Sequence, residues 1–337
     1  MAEPAEELAA VAPDPPAPAV AEAVARALAE DLLPMGDLTA ALVPEHVVGR
    51  ASVVSRRAGV LAGSACARHA CAVVDPRLQV RWHLADGSAL AAGTVVADVV
   101  GPLRAMLTAE RTMLNFLCHL SGVATLTRKF VDAVQAANPA ARVLDTRKTT
   151  PGLRALEKAA VRAGGGWNHR GSLSEAVLVK DNHLGGLSIT EAVRRARQAW
   201  PGRMVEVECD RLDQVGEAVA AGATMVLLDN MTPDQVAACV RLVRAAAGAG
   251  PEPSTARTLV EVSGGVTLET APAFAAAGAD FVSVGALTHS APALDLGLDL
   301  ATEGLDRQPT GGGLDAGGDG PEAATGTGRT DDHGGTA

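Results

Sequence analysis

The sequence predicts an α/β protein in which a C-terminal parallel α/β barrel follows a smaller N-terminal α+β domain. Three observations carry that reading: six short Val- and Leu-rich segments after residue 142, helical stretches between them, and a polar or glycine cluster closing each segment. The segments are ARVLDTRK, EAVLVKDN, MVEVECD, TMVLLDN, TLVEVSGG and DFVSVGAL. With Lys148, Lys180, Glu208, Asp229, Ser263 and Gly285 marking their ends, the intervals are 32, 28, 21, 34 and 22 residues. Each interval fits one strand plus one crossover helix. Strands buried on both faces pair in parallel, either in a closed barrel or in an open doubly wound sheet. No dinucleotide fingerprint, G-x-x-x-x-G-K-[ST] loop, H-E-x-x-H or G-x-S-x-G motif occurs. Their absence weakens the Rossmann, P-loop NTPase, zinc protease and serine hydrolase readings.

The remaining elements follow along the chain. Residues 1–19 are rich in Pro, Ala and acid and read as a disordered tail, as do the Gly-, Thr- and Asp-rich residues 304–337. Residues 20–137 form the α+β domain: strand-like runs such as ASVVSRRAGVLAG and VVADVVG alternate with turn signals, and a long helix spans 103–137. The barrel domain occupies 138–303.

Composition narrows the function classes. The chain has 337 residues, 47% hydrophobic, only 2% aromatic and no Tyr, so its core is built from Ala, Val and Leu, and aromatic platforms for single-stranded nucleic acid are not expected. The net charge of -10 belongs to the ends: residues 1–31 carry -6 and 301–337 carry -5, leaving about +1 on the body. Five cysteines without metal-type spacing point to a reducing, cytoplasmic setting. The N-terminus lacks the charge and apolar core of a secretory signal, and no uncharged stretch is long and apolar enough to span a bilayer.

Strand C-termini build the active site of a parallel barrel. Here they deliver Arg147 and Lys148, then Lys180, Glu208 and Asp229, then Ser263-Gly264-Gly265 and Gly285, with His169 and Arg170 in a glycine-rich loop between the first two strands. Residues 142–183 hold eight Lys or Arg against four Asp or Glu, a local +4. Such a rim suits a substrate with several carboxylates or phosphates. Period two puts Glu206 and Glu208 on one strand face. With Asp229, Glu208 can hold a magnesium ion, or the acids can simply pair with Lys148 and Lys180. Glycines in the last two strand ends let backbone N–H groups approach a phosphate.

These residues lie in segments that resemble the quinolinate phosphoribosyltransferase family: AEDLLPMGDLT, VVSRRAGVLAG, AERTMLNFLCHLSGVAT, LDTRKTTPGLRALEKAAVRAGGGWNHRGSLSEAVLVKDNH, VEVECD, VLLDNM, EVSGGV and VSVGALTHSAPALDLGLDL, in order across about residues 23–300. The resemblance implies transfer of phosphoribose from phosphoribosyl pyrophosphate to quinolinate with Mg2+. The products are nicotinate mononucleotide, pyrophosphate and carbon dioxide, a step of de novo NAD biosynthesis. It implies that Arg147, His169, Arg170 and Lys180 surround the dicarboxylate, with Lys148 between the substrates. Glu208 and Asp229 would hold ribose hydroxyls and magnesium; Ser263, Gly264, Gly265 and Gly285 would hold the 5'-phosphate. Lys148, Lys180, Glu208 and Asp229 are the implied catalytic groups. Arg111, on the long helix, would reach the neighbouring site of a homodimer. Residues 248–258 look like an insertion preceding the fifth strand, on the face away from the site. The rival readings are a molybdenum-associated or nicotinate-using paralogue, and a binding protein that kept the barrel.

Overall fold

The computed structural model describes residues 14–247 and 257–301. The C-terminal tail, residues 1–13 and nearly all of the proposed insertion lie outside the described residues. The first helix among the described residues, α1 (Ala17–Leu32), begins inside the stretch expected to be a disordered tail. Pro16 caps it and Pro18 sits in its first turn, where a missing N–H and a fixed φ cost nothing, so proline-rich composition here starts a helix. Val20, Val24 and Leu28 then bury one face.

The N-terminal strands are β1 (Val48–Ser55), β2 (Gly59–Val60), β3 (Gln79–Trp82), β4 (Ala89–Leu90) and β5 (Val95–Pro102), with α2 (Ser64–Val74) after β2. β1, β5 and β3 form an antiparallel sheet, and β2 pairs with β4. One strand of that sheet comes from the far end of the chain. β12 (Leu296–Leu300), expected within the barrel domain, instead pairs antiparallel with β1 from Ala51↔Leu300 to Ser55↔Leu296. Its alternating Leu296 and Leu298 pack against the N-terminal core, the pattern of a strand covered on one face, and an Arg56–Asp299 ion pair marks the outer side.

Helix α3 (Leu103–Ala137) runs without interruption over the predicted span. At 1.5 Å per residue it is about 50 Å long, enough to serve two cores. Its first half packs Met106, Met113, Leu114 and Leu117 against α2 and the antiparallel sheet. Its second half packs Leu120, Val123, Phe130 and Val134 with the barrel.

The barrel comprises β6 (Arg142–Leu144), α4 (Arg154–Ala163), β7 (Val177–Val179), α5 (Asp181–Leu184), α6 (Ile189–Ala199), β8 (Val205–Cys209), α7 (Leu212–Ala220) and β9 (Met225–Asp229). It continues with α8 (Pro233–Ala247), β10 (Leu259–Ser263), α9 (Ala271–Ala276), β11 (Phe281–Ser283) and α10 (Ala286–His289). All six strands pair in parallel, in the order β6-β11-β10-β9-β8-β7. Their C-terminal ends therefore share one rim.

The two end strands, β6 and β7, do not hydrogen-bond to each other. The glycine-rich loop fills this seam. Trp167 N–H donates to Val143 O (2.8 Å), Asp145 N–H to Trp167 O (3.1 Å), and Leu144 bridges Trp167 in parallel. Beyond that point side chains take over. The buried Asp145 accepts the His169 N–H (2.9 Å) and pairs with Lys158, whose ammonium also donates to His169 O (2.7 Å). Both backbone polar groups of His169 are thus held by one buried ion pair. No described helix is long and apolar enough to cross a membrane.

Candidate active site

The rim after β6 carries Arg147 and Lys148. Arg154 anchors this turn from α4, donating to Thr149 Oγ1 (3.0 Å), Arg147 O (3.3 Å) and, across the seam, Gly171 O (3.1 Å). Glu157, fully buried, accepts from Thr150 N–H (3.1 Å) and faces His119 of α3 (2.9 Å). One helix therefore fixes both cationic loops.

Arg147 and Arg170 come close enough to repel. Burial, and then the Arg147 charge, lower the Arg170 guanidinium below its ordinary value, although it stays cationic at neutral pH. Arg170 donates to Ala176 O (2.9 Å), while the buried Arg147 Nε has no hydrogen-bond partner among the described residues. Two like charges and an orphaned donor on a partly buried rim are costly unless an anion completes them.

His169 has a different environment from the one the resemblance implied. Its ring points to acids inside the barrel, with Nε2 3.0 Å from Glu206 and 3.3 Å from Glu261. Burial disfavours the imidazolium, but the hydrogen bonds and charges of Glu206 and Glu261 outweigh it and raise the His169 pKa to about 10. Burial, and then Glu261, push the Glu206 carboxyl above its ordinary value. Ser283 donates to the other oxygen of Glu261. These three residues form a cluster close enough to share a cation, but the imidazolium already supplies positive charge there. Glu261 escaped the sequence reading, although VEVS carries the same acid-in-apolar-strand signal as VEVEC.

Glu206 and Glu208 do share a strand face, as period two requires, and they take different partners. Glu208 pairs with Lys180, the residue capping α5, so the simple ion-pair alternative describes Glu208 as it stands here. At the next strand end Asp229 accepts from Asn230 Nδ2 (2.7 Å), and its Oδ1 has no hydrogen-bond partner among the described residues. Glu208 and Asp229 thus offer hard oxygen donors on neighbouring strands, which fits magnesium. Ser263 lies beside Asp229 in register. Gly264 and Gly265 follow with φ of +93° and +58°, a turn that a side chain would strain. Lys148 closes the ring: a Cβ on Gly285 would lie 3.1 Å from Lys148 Cδ, and its ammonium makes no hydrogen bond or ion pair among the described residues.

Arg111 is not brought to this group. It lies exposed on α3 and makes no hydrogen bond or ion pair with the other predicted residues. All five cysteines are free, and burial pushes the Cys66 and Cys209 thiols up to about 12, which leaves them unsuited to nucleophilic work.

Comparison with known proteins identifies the family. Residues 37–121 match the family model described as the quinolinate phosphoribosyl transferase N-terminal domain, and 123–299 match its C-terminal domain. The chain is 43% identical to the nicotinate-nucleotide pyrophosphorylase [carboxylating] of Mycobacterium leprae, over 84% of this chain and 97% of that one. It is 40% identical to the human protein of the same name, over 77% and 85%. The solved nicotinate-nucleotide pyrophosphorylase of Francisella tularensis superposes with a TM-score of 0.78 at 37% identity, covering 85% of this chain and 97% of that one. From matches across both domains and a shared fold, the chain belongs to the quinolinate phosphoribosyltransferase family.

Proposed function

We propose that this chain transfers phosphoribose from phosphoribosyl pyrophosphate to quinolinate and decarboxylates the product, a step of NAD biosynthesis. The observation that carries the reading is the paired Arg147 and Arg170 with an unsatisfied buried Nε, a site built for a carboxylate. Arg147, Arg170 and Lys180 grip the two ring carboxylates, with the His169 backbone as their frame. Ser263, Gly264, Gly265 and Gly285 cradle the 5'-phosphate.

The pyridine nitrogen forms a bond to ribose C1' as the C1'–O bond to pyrophosphate breaks, and the bonding pair leaves with pyrophosphate. Glu208 and Asp229 hold the ribose hydroxyls and face the positive charge that develops on the sugar. Lys148 neutralises the departing pyrophosphate. Glu208 and Asp229 would hold Mg2+, which would supply Lewis-acid charge neutralisation for the phosphates. The alkylated ring then withdraws the electron pair of the C2–carboxylate bond, carbon dioxide leaves, and a solvent proton reaches C2. No protein nucleophile takes part.

The exposed Arg111 fits a site completed by a second copy. The exposed Leu33, Met35, Leu38, Leu42 and Val48 supply apolar surface for such a homodimer. A cytoplasmic location follows from the substrates and the free thiols. Steady-state turnover of quinolinate and of nicotinate, each with phosphoribosyl pyrophosphate and Mg2+, tests the reading. Turnover of quinolinate alone is expected, and turnover of nicotinate alone would reject it in favour of the nicotinate-using paralogue.

A further inference from the structure

We propose that Asn230 is a positioning residue of the phosphoribosyl half of the site, fixing the Asp229 carboxylate and the Ser263–Gly264 turn relative to each other. The inference rests on the assignment of those residues to the phosphoribosyl substrate, and it starts from the backbone. Among the described residues Asn230 is the only non-glycine residue at positive φ, 55°. A left-handed residue at a strand end is held there by its surroundings.

Three contacts hold it. The Asn230 N–H donates to Ser263 O (3.1 Å), extending the β9–β10 ladder one residue past the Asp229↔Ser263 pair. Its Nδ2 donates to Asp229 Oδ2 (2.7 Å). A carboxylate cannot donate, so the amide has one sensible orientation and its oxygen faces Gly264. A Cβ on Gly264 would lie 2.3 Å from Asn230 Oδ1 and 2.8 Å from Asn230 N, so this asparagine occupies the space that requires glycine there.

A glycine at 230 would satisfy the backbone equally well. What glycine cannot supply is the donor aimed at Asp229. Tethering Oδ2 leaves Oδ1 as the free face of the carboxylate, turned to whatever the acid binds. The same residue walls the phosphate turn, so acid and phosphate cradle move as one unit.

The test compares Asn230→Gly, Asn230→Asp and the wild-type protein. Glycine keeps the left-handed backbone and removes the amide; aspartate keeps size and shape but replaces the donor with a repelling acceptor. Phosphoribosyl pyrophosphate binding with Mg2+ is measured by calorimetry, beside kcat and both KM values and a melting curve. Both variants are expected to melt near wild type. Each should bind phosphoribosyl pyrophosphate at least ~10-fold more weakly or lose at least ~10-fold in kcat, as loss of an orienting partner does elsewhere, with quinolinate KM little changed. Wild-type binding and turnover in Asn230→Gly would overturn the proposal, as would full activity in Asn230→Asp. A wild-type protein that neither binds phosphoribosyl pyrophosphate nor turns over would instead overturn the functional reading beneath it.

Discussion

Lys158→Met should destabilise the protein by removing the ammonium that pairs with the fully buried Asp145 carboxylate. Asp145 is 0% exposed and Lys158 7%. Burial pushes the Asp145 carboxyl up, and the Lys158 ammonium is the largest influence pulling it back down. Without that cation, the Asn168 amide and the His169 N–H still donate to Asp145, but the ammonium beside the carboxylate is gone. Removing one partner of such a pair costs about 3–5 kcal/mol, because a buried charge is left uncompensated. The pH dependence carries a sign. In the variant the folded-state pKa of Asp145 rises further above its unfolded value near 3.9, so the folded state binds a proton that the unfolded state has released. Stability then falls as pH rises, by about 1.4 kcal/mol per unit, until pH passes the folded pKa. Urea unfolding at several pH values between 5 and 8 measures this. The penalty should grow with pH, and adding Asp145→Asn to Lys158→Met should recover much of it. A single-variant cost below about 1 kcal/mol at pH 8, or a double variant equal to the sum of the singles, would mean that the ammonium does not hold this buried charge.

Two further predictions concern the site. The His169 pKa is raised in the folded state from an ordinary 6.5 to about 10. Its contribution to stability is therefore complete below about pH 6.5 and lost as pH rises toward 10, so urea midpoints of the wild-type protein should fall across that interval, and a flat midpoint would contradict the raised value. Arg111→Ala and Lys148→Ala proteins should each be poorly active and should regain activity when mixed and allowed to exchange subunits, to roughly a quarter of wild type if one intact site forms per mixed dimer and half the dimers are mixed. No recovery despite exchange confirmed by mass labelling would remove the shared site.

Much of the architecture could be read from residues alone. Six apolar segments at strand–helix spacing each became a strand, because parallel strands buried on both faces need continuous Val and Leu, and that requirement is local. The long helix was legible for the same reason. What sequence could not show were pairings set by distant chain. Leu296–Leu300 falls inside the span expected to be the barrel domain, and only the edge of β1, some 240 residues earlier, draws it away. Pro16 and Pro18 suggested disorder because composition does not distinguish a loop proline from one in the first turn of a helix. At the rim, the charged residues stood out in the sequence because they close the strand segments. The residues beneath them did not: Glu261, Asp145, Lys158 and Asn230 matter through partners brought together by folding. His169 shows the limit most clearly, since its position in a basic loop gave no hint that its ring turns to two buried acids.

On the proposed mechanism, one rim of this barrel joins phosphoribose to a pyridine dicarboxylate and then releases a carboxylate from the carbon beside the new bond. Quinolinate labelled at the C2 carboxyl, in parallel with quinolinate labelled at the C3 carboxyl, tests it with phosphoribosyl pyrophosphate and Mg2+. Label is expected in carbon dioxide from the C2 carboxyl only, one equivalent for each pyrophosphate formed. Pyrophosphate without labelled carbon dioxide, or release from the C3 carboxyl, would contradict it.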